Sequence, residues 1–409
     1  MVLALPVHHP RHHEVILLRA GVALDSHAIP RLGELFVPEV WIRHPGTEDL
    51  VRFVDPRILA SYRQLTTTVG LALDTAMVQS TVQLDFHDYK RAVMSVLARL
   101  MENPQAAIML SELVGGDRPF VRHCGNVSVL SLLMGLKLEF YLVRERPKLT
   151  PSLARELSGL GVGAMVHDIG MTRLAADVLE RYNRTLDEND EQWREHVRLG
   201  FEMVKGDLDP AAATIVLHHH QHYDGSGFPN KRDGTSLAKM KDSGIHIFAR
   251  IVAAADLYDR LRNPAHAPGS DPSRTPSIPG VRALRMLREA PYSKWIDPVV
   301  RLALFTVAPP YPPGSIVALS DGRTGAVVDW SPLDPCRPTV EILSGTLRGD
   351  PTYTRVDLRK TRKLHVFEID GHYVGDDNFY PAFEGEFDLT RVGKALTNAA
   401  YAHPSLLKA

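Results

Sequence analysis

Seven residues of two kinds recur through the middle of this chain where they could share metal ions. They are His123, the neighbours His167 and Asp168, His196, the neighbours His219 and His220, and Asp256. An imidazole fills one coordination position, whereas a carboxylate can bridge two cations. A mixed nitrogen and oxygen set of this kind suits Fe, Mn, Zn or Ni rather than Ca. Two such cations a few ångströms apart can share a hydroxide and clamp a phosphoryl group, which is chemistry for hydrolysing phosphate esters. The densest stretch is "HHHQHYDGSGFP" at 218–229, with His218, His219, His220 and His222 ahead of a glycine-rich turn. Histidine is mostly neutral near pH 7, so the run is a poor solubility device, and it is also a poor core. Each residue alone has a plainer reading: a lone histidine on an apolar helix is often a hydrogen-bonded core residue, and "VHDIG" can be a helix end. An aspartate in the apolar "VAAADLYD" still needs a partner when buried. The set as a whole therefore carries the argument.

The elements that must hold these residues read as mostly helical between 105 and 308. "FVRHCGNVSVLSLLMGLKLEFYLV" is apolar on most sides and predicts one long buried helix. "LARELSGLGVGAMVHDIG" predicts another, ending at Gly170. "DENDEQWREHVRLGFEMVK" begins with acidic residues suited to a helix N-terminus. In "DPAAATIVLHHHQHY", Asp209 and Pro210 form an N-cap and first-turn pair. "GIHIFARIVAAADLYDRLR" is a further apolar helix, and "NPAHAPGSDPSRTPSIPG" reads as a mobile loop. Upstream, "EVILLRAGVAL" and "ELFVPEVWIRHP" are strand candidates, the second interrupted by Pro38 and Pro45. "DFHDYKRAVMSVLARLME" has helical spacing and stops near Pro104. After "VAPPYPPG" the pattern alternates. "SIVALS" and "AVVDWS" flank a "DGRTG" turn, and "PTVEIL", "TRVDLR" and "LHVFEID" follow, predicting a small antiparallel barrel or sandwich over 312–370. The expected class is mainly α, with a mixed N-terminal region (1–104), a helical domain (105–308) and a β-rich domain with a tail (309–409).

The chain has 409 residues, with 44% hydrophobic and 23% charged content, as in ordinary globular proteins. Its 47 basic and 48 acidic residues give a net charge of −1 and argue against a broad nucleic-acid surface. No run of about 18 apolar residues suggests a membrane span, and "MVLALPVHHPRHHE" is a poor signal peptide. The two cysteines, Cys124 and Cys336, form no CxxC, which fits a reducing cytoplasm. His8, His9, His12 and His13 read as an exposed, disordered tail.

Five blocks in order resemble the HD-GYP family, a branch of the HD-domain metal-dependent phosphohydrolases. These are "RHCGNVSVLS" (122–131), "HDIG" (167–170), "EHVRLGFEMV" (195–204), "HHQHYDGSGFP" (219–229) and "ARIVAAADLYDRL" (249–261). The resemblance spans roughly 105–308 and implies hydrolysis of cyclic di-GMP to linear pGpG and GMP with two or three metals, often iron. It implies that His123, His167, Asp168 and Asp256 hold one metal. Asp168, His196, His219 and His220 would hold the other, with Asp168 as the bridge to the metals and hydroxide. His218 and His222 are not implied as ligands. Two divalent cations are expected, iron first, with Mn, Ni or Zn also compatible.

The chain departs from the family pattern in four places. Met171 replaces the lysine of HDIGK, Phe228 replaces the tyrosine of GYP, and Gln221 replaces a glutamate. The last helix is followed by "RNPAHAPGSDPSRTP" rather than a basic RPY-type segment. Pro119 stands where members with three metals carry a glutamate, which favours two. Arg173 could compensate for Met171, and Lys231, Arg232 or Arg250 could face the metals. Asp224, Gly225, Gly227 and Phe228 are expected to form a wall of the substrate site, with the glycines allowing a ligand close to main-chain N–H groups. Two readings remain, a working phosphodiesterase or a weak or inactive metal-bound receptor for cyclic di-GMP, besides a hydrolase for another nucleotide. The expected partner is cyclic di-GMP or a related nucleotide, with no membrane, and a homodimer or a signalling protein as further partners. The N-terminal region could sense a signal or only pack on the helices.

Overall fold

The computed structural model describes residues 1–9, 15–35, 37, 40–78, 85–103, 105, 118–233, 236–271, 273–343 and 354–401. The first residues make strands β1 (Val7–His8) and β2 (Ile16–Leu18), paired antiparallel, and helix α1 (Ala28–Glu34). Leu3, Val7, Leu24 and Leu32 close a small core of their own. His8 therefore lies in a strand rather than a free tail, while His12 and His13 lie outside the described residues. In "ELFVPEVWIRHP" only an isolated bridge, Ile42 to Leu3, is seen among the described residues, because proline withholds ladder donors.

The long helices follow. α2 (Pro56–Val78) and α3 (Phe86–Glu102) form an antiparallel pair, the second capped by Asp85, which accepts from the His87 and Asp88 amides. α4 (Pro119–Lys137) is the central helix, with Pro119 in its first turn. The chain then breaks at Leu138, and α5 (Glu139–Glu145) bends away by 86°. The single long helix expected here is thus two, and among the described residues no single helix is long and apolar enough to cross a membrane. α6 (Pro151–Ala154) and α7 (Ser158–Met165) lead to the HD residues, which sit on a turn after α7 rather than inside a helix. Next come α8 (Ala176–Thr185), α9 (Glu191–Arg194) and α10 (His196–Val204), the last two separated by a turn at Glu195. α11 (Pro210–His218) has the expected Asp209 cap, accepting from the Ala211 and Ala212 amides. Strands β3 (Lys231–Asp233) and β4 (Ser236–Ala238) form a hairpin ahead of α12 (Ile247–Arg262). α13 (Gly280–Met286), α14 (Tyr292–Trp295) and α15 (Pro298–Val307) complete the bundle.

These helices share one core. Leu65 and Leu73 of α2, Val93 and Leu100 of α3, Leu132 of α4, Leu160 of α7 and Ile251 of α12 are all fully buried. The core is continuous from residue 53 onward, so α2 and α3 belong with the later helices rather than with residues 1–50. A six-stranded antiparallel sheet follows in the order β10-β9-β5-β6-β7-β8. Its strands are β5 (Ile316–Leu319), β6 (Thr324–Asp329), β7 (Thr339–Ile342), β8 (Thr354–Asp357), β9 (Val366–Ile369) and β10 (His372–Tyr373). Among the described residues its edge strands β10 and β8 are not paired with each other, so there it is an open sheet rather than a closed barrel. A last helix, α16, spans Leu389–Tyr401. The molecule is mainly α, with its six-stranded sheet in the C-terminal region and two short hairpin pairs elsewhere.

Candidate metal centre

The seven histidines and aspartates come from five places in the bundle and meet in its interior. His123 lies on α4, His167 and Asp168 on the turn after α7, His196 opens α10, His219 and His220 follow α11, and Asp256 is mid-α12. None is more than 2% exposed. A glycine explains part of the convergence. A Cβ on Gly170 would overlap the His196 carbonyl, so α10 can lie directly on the HDIG turn and bring His196 beside Asp168.

Two overlapping groups result, one of His123, His167, Asp168 and Asp256, the other of Asp168, His196, His219 and His220. In each, the donor atoms lie within 4.8 Å of one another. Asp168 belongs to both. Its Oδ2 is 3.6 Å from His123 Nε2 and 3.4 Å from His167 Nε2. Its Oδ1 is 3.4 Å from His196 Nε2 and 3.3 Å from His219 Nε2. Asp256 Oδ1 is 3.3 Å from His123 Nε2 and 3.7 Å from His167 Nε2. Ligands bound about 2.1 Å from one cation lie roughly 3.0–3.4 Å apart. These separations are near that range and long for direct hydrogen bonds.

The outer nitrogens settle which atom faces inward. Nδ1 of His123 meets Asp259 Oδ2 at 2.7 Å, and Nδ1 of His167 meets the Ala164 carbonyl at 2.8 Å. Nδ1 of His196 meets the Trp193 carbonyl at 2.7 Å, and Nδ1 of His219 meets the Val216 carbonyl at 3.0 Å. A carbonyl can only accept, so Nδ1 carries the proton and Nε2 turns its lone pair inward. Nε2 of His123, His167, His196, His219 and His220, with Asp168 Oδ1, has no hydrogen-bond partner although buried. Buried polar atoms without partners are costly, and divalent cations would satisfy all six. The residues fit a metal centre.

The electrostatics agree. Burial opposes protonation of His123, but Asp168, Asp256 and Asp259 outweigh it and push its pKa well above the ordinary value. His167, likewise buried, is raised to about 9 by Asp168 and Asp256. Burial alone would raise Asp168, yet His167, His123 and His196 hold it well below the usual carboxylate range. His220, by contrast, is pushed well below its ordinary value, first by burial and then by His219 and Arg260. A concentrated negative field is what a dication would meet here.

Supporting residues escaped the sequence reading. Asp259 accepts from His123 and, at 3.1 Å, from Asn126 Nδ2, while Tyr62 on α2 donates to Asn126 Oδ1 at 2.7 Å. Arg260 Nε binds both oxygens of Asp256, at 2.9 and 3.0 Å, and Nη1 binds Glu188. His266, in the segment expected to be a mobile loop, is buried against His123 at 5.0 Å between ring centroids and meets Tyr182 Oη at 3.1 Å. Asp259 and Arg260 lie three and four residues after Asp256, spacing that was readable as one helix face.

The remaining site candidates take more structural places. Met171 is fully buried on a 3-10 turn (Ile169–Arg173), and Arg173 ends that turn half-buried. Arg250 is committed away from the metals, bound to Asp297 and Glu145 with Tyr141 alongside. The side chains of Lys231 and Arg232 lie outside what is described. Asp224 is exposed and accepts from Ser226 N at 2.9 Å and Ser226 Oγ at 2.6 Å, while Gly225 has φ 82°. The close approach that Gly227 permits is the protein's own. A Cβ there would overlap the His220 carbonyl and the His222 amide. Phe228 is buried and stacks on His220, centroids 4.7 Å apart at 16°, so it shapes a candidate ligand and not an outer wall. Gln221 donates its side-chain amide to the Pro229 carbonyl, which an ionised glutamate could not do. His222 stacks on Trp295 and joins neither group.

A family model described as HD domain matches residues 148–300. The chain is 26% identical over 356 residues to a cyclic di-GMP phosphodiesterase of Pseudomonas aeruginosa, covering 79% of this chain and 78% of that protein. It is 31% identical over 196 residues to a cyclic di-GMP phosphodiesterase response regulator of Xanthomonas campestris pv. campestris, covering 47% of this chain and 43% of that protein. A solved HDG"Y"P protein from Bdellovibrio bacteriovorus overlays 74% of this chain and 94% of its own at a TM-score of 0.42 and 15% identity, too distant to bear on the site. Residues 148–300 are an HD domain, and the surrounding motifs are those of its HD-GYP branch, with Met171 and Phe228 where the family motifs carry lysine and tyrosine.

Proposed function

We propose that this protein is a metal-dependent phosphodiesterase that opens cyclic di-GMP to linear pGpG and carries it on to GMP. The observation that carries the reading is Asp168, which turns one carboxylate oxygen to each of two buried histidine groups. His123, His167, Asp168 and Asp256 would hold one divalent cation, and Asp168, His196, His219 and His220 the other. Iron is the first candidate, with Mn, Ni or Zn compatible with the same donors. Bound there, the cations supply Lewis acidity toward a phosphoryl oxygen and lower the pKa of a water to make a nucleophile at neutral pH. The chain's own part is preorganisation. Carbonyls of Ala164, Trp193 and Val216 and the Asp259 carboxylate keep protons on Nδ1, so the inward nitrogens stay available. Phe228 and Trp193 fix the His220 ring from two sides. On the substrate side, Arg173 and Asp224 are the assigned contacts, with Gly225, Gly227 and Phe228 shaping the turn that carries Asp224.

A second reading, a metal-bound receptor with little turnover, is favoured by Met171. Its side chain brings no positive charge, and it is fully buried. Anaerobic loading with Fe(II) or Mn(II), then chromatography of cyclic di-GMP incubations, separates the two. The expected result is about two metals per chain with pGpG appearing first and GMP after it. Bound metal and bound cyclic di-GMP without product would establish the receptor reading. Metal well under one per chain after loading would refute both.

A further inference from the structure

We infer that Arg260 is the phosphate-binding cation of this site and that Glu188 occupies its anion position until substrate arrives. This rests on the phosphodiesterase reading and names the group that grips the phosphodiester. Arg260 lies one helical turn after Asp256 on α12 and holds that carboxylate through Nε, at 2.9 and 3.0 Å. Beside the effect of burial, its positive charge pulls the pKa values of Asp256, His220 and His222 down. Through its hydrogen bonds to Asp256 the guanidinium borders the group formed by His123, His167, Asp168 and Asp256.

Its two partners differ in kind. Asp256 is 1% exposed and fixed in the helix. Glu188 is 32% exposed and stands on the short connection between α8 and α9, which opens with Leu186 in a left-handed conformation, φ 51°. The backbone of that connection is tied separately. Arg194 Nε donates to the Glu188 carbonyl at 2.6 Å and Nη2 to Asn189 at 2.9 Å, and the Arg194 guanidinium lies over Phe228 at 4.7 Å. The Glu188 side chain can leave by a rotamer change while its loop stays in place. A guanidinium pairs with carboxylate and phosphate through the same forked geometry, so the position held by Glu188 suits a phosphodiester oxygen pair. Arg260 itself is only 8% exposed and cannot move with it.

The test compares wild type with Glu188→Gln, Arg260→Gln and the double variant. Each is measured as full chain, Mn(II)-loaded and metal-free, for metal content, melting temperature and calorimetric binding of inorganic phosphate and pGpG. The inference expects Glu188→Gln to bind both anions about fivefold or more tightly, and Arg260→Gln to bind them at least tenfold more weakly, about 1.4 kcal/mol. The double variant should resemble Arg260→Gln, and metal content should hold. If Glu188→Gln leaves both affinities unchanged or weaker, Glu188 only braces the loop and the inference fails. It fails also if Arg260→Gln loses metal and binds anions normally once metal is restored, since Arg260 would then only position Asp256. Should Arg260→Gln not fold, the Glu188→Gln arm still decides. A wild type that binds phosphate through Arg260 yet never cleaves cyclic di-GMP overturns the enzymatic reading and leaves Arg260 assigned. The metal-free titration reads Arg260 even if no metal is retained.

Discussion

At the scale of single residues, two carboxylates do different work for the metal centre, and replacing each separates them. Asp168 stands in both groups, so Asp168→Asn, which keeps shape but loses charge, is expected to lower metal content from about two ions toward none. Asp259 belongs to neither group and acts through His123 Nδ1. Asp259→Ala should retain both ions at saturating metal but weaken the affinity of the His123 group about 10–100-fold, as losing an outer partner of a ligating histidine does. Competition against a graded chelator, read by elemental analysis, distinguishes them. Equal metal loss in both variants would remove the special standing of Asp168. The candidate ligand set was legible as a set because histidine and aspartate are conspicuous in apolar stretches such as "VAAADLYD". Its supports were less legible. Asp259, Arg260 and Asn126 look like an ordinary polar helix face until folding turns that face inward. Phe228 and Gly227 were read as facing a ligand, whereas they face His220, since a sequence shows that close approach is needed and not which group approaches.

At the scale of elements, α12 carries Asp256, Asp259 and Arg260, and its N-terminus depends on a histidine. His246 Nδ1 accepts from the Phe248 amide at 3.2 Å, which requires that nitrogen to be unprotonated. Burial, with Arg146 and Arg250 nearby, holds its pKa down to about 4 from an ordinary 6.5. Above pH 6.5 the folded and unfolded chains are both neutral here. Between 6.5 and 4 the unfolded chain takes up a proton and the folded chain does not, so stability present above 6.5 is lost as pH falls. Urea midpoints of metal-free protein between pH 7 and 4.5 should show that decline, and His246→Asn, which can cap without titrating, should flatten it. An unchanged slope in the variant would mean that His246 is protonated in the fold or that other groups dominate. Helix existence was legible from apolar periodicity, but helix ends were not. The break at Leu138 and the end of α7 at Met165 follow from packing around α4 and the HDIG turn, and neither carries a proline or a left-handed glycine to mark it.

At the scale of the whole molecule, the question is where the metal-holding unit begins. The extent of the family resemblance, with Pro104 as a helix stop, suggested a boundary near residue 104. Packing argues for one near residue 54. Tyr62 of α2 is buried and starts the hydrogen-bonded series Tyr62–Asn126–Asp259–His123 that ends at the metal group. Leu65, Val69, Leu73, Val93, Val96 and Leu100 of α2 and α3 are fully buried in the common core. Residues 1–50 close a small core of their own, lay Leu5, Trp41 and Leu50 against the common core, and add exposed ion pairs such as Asp49 with Arg355 at 2.8 Å, which contribute little. A chain starting at Asp55 should therefore fold and keep its metal, with a lower melting temperature from the loss of Phe53 and of Leu5, Trp41, Leu50 and Val54 packed on the core. A chain starting at Gln105 should expose the apolar faces of α4 and α7 that α2 and α3 cover, and leave Asn126 Oδ1 without its donor. It should aggregate or bind metal only weakly. Size-exclusion chromatography and elemental analysis of the two shortened chains decide the matter. A soluble, monodisperse chain from Gln105 with full metal content would show that α2 and α3 are an appendage, and would restore the boundary that the sequence suggested near residue 104.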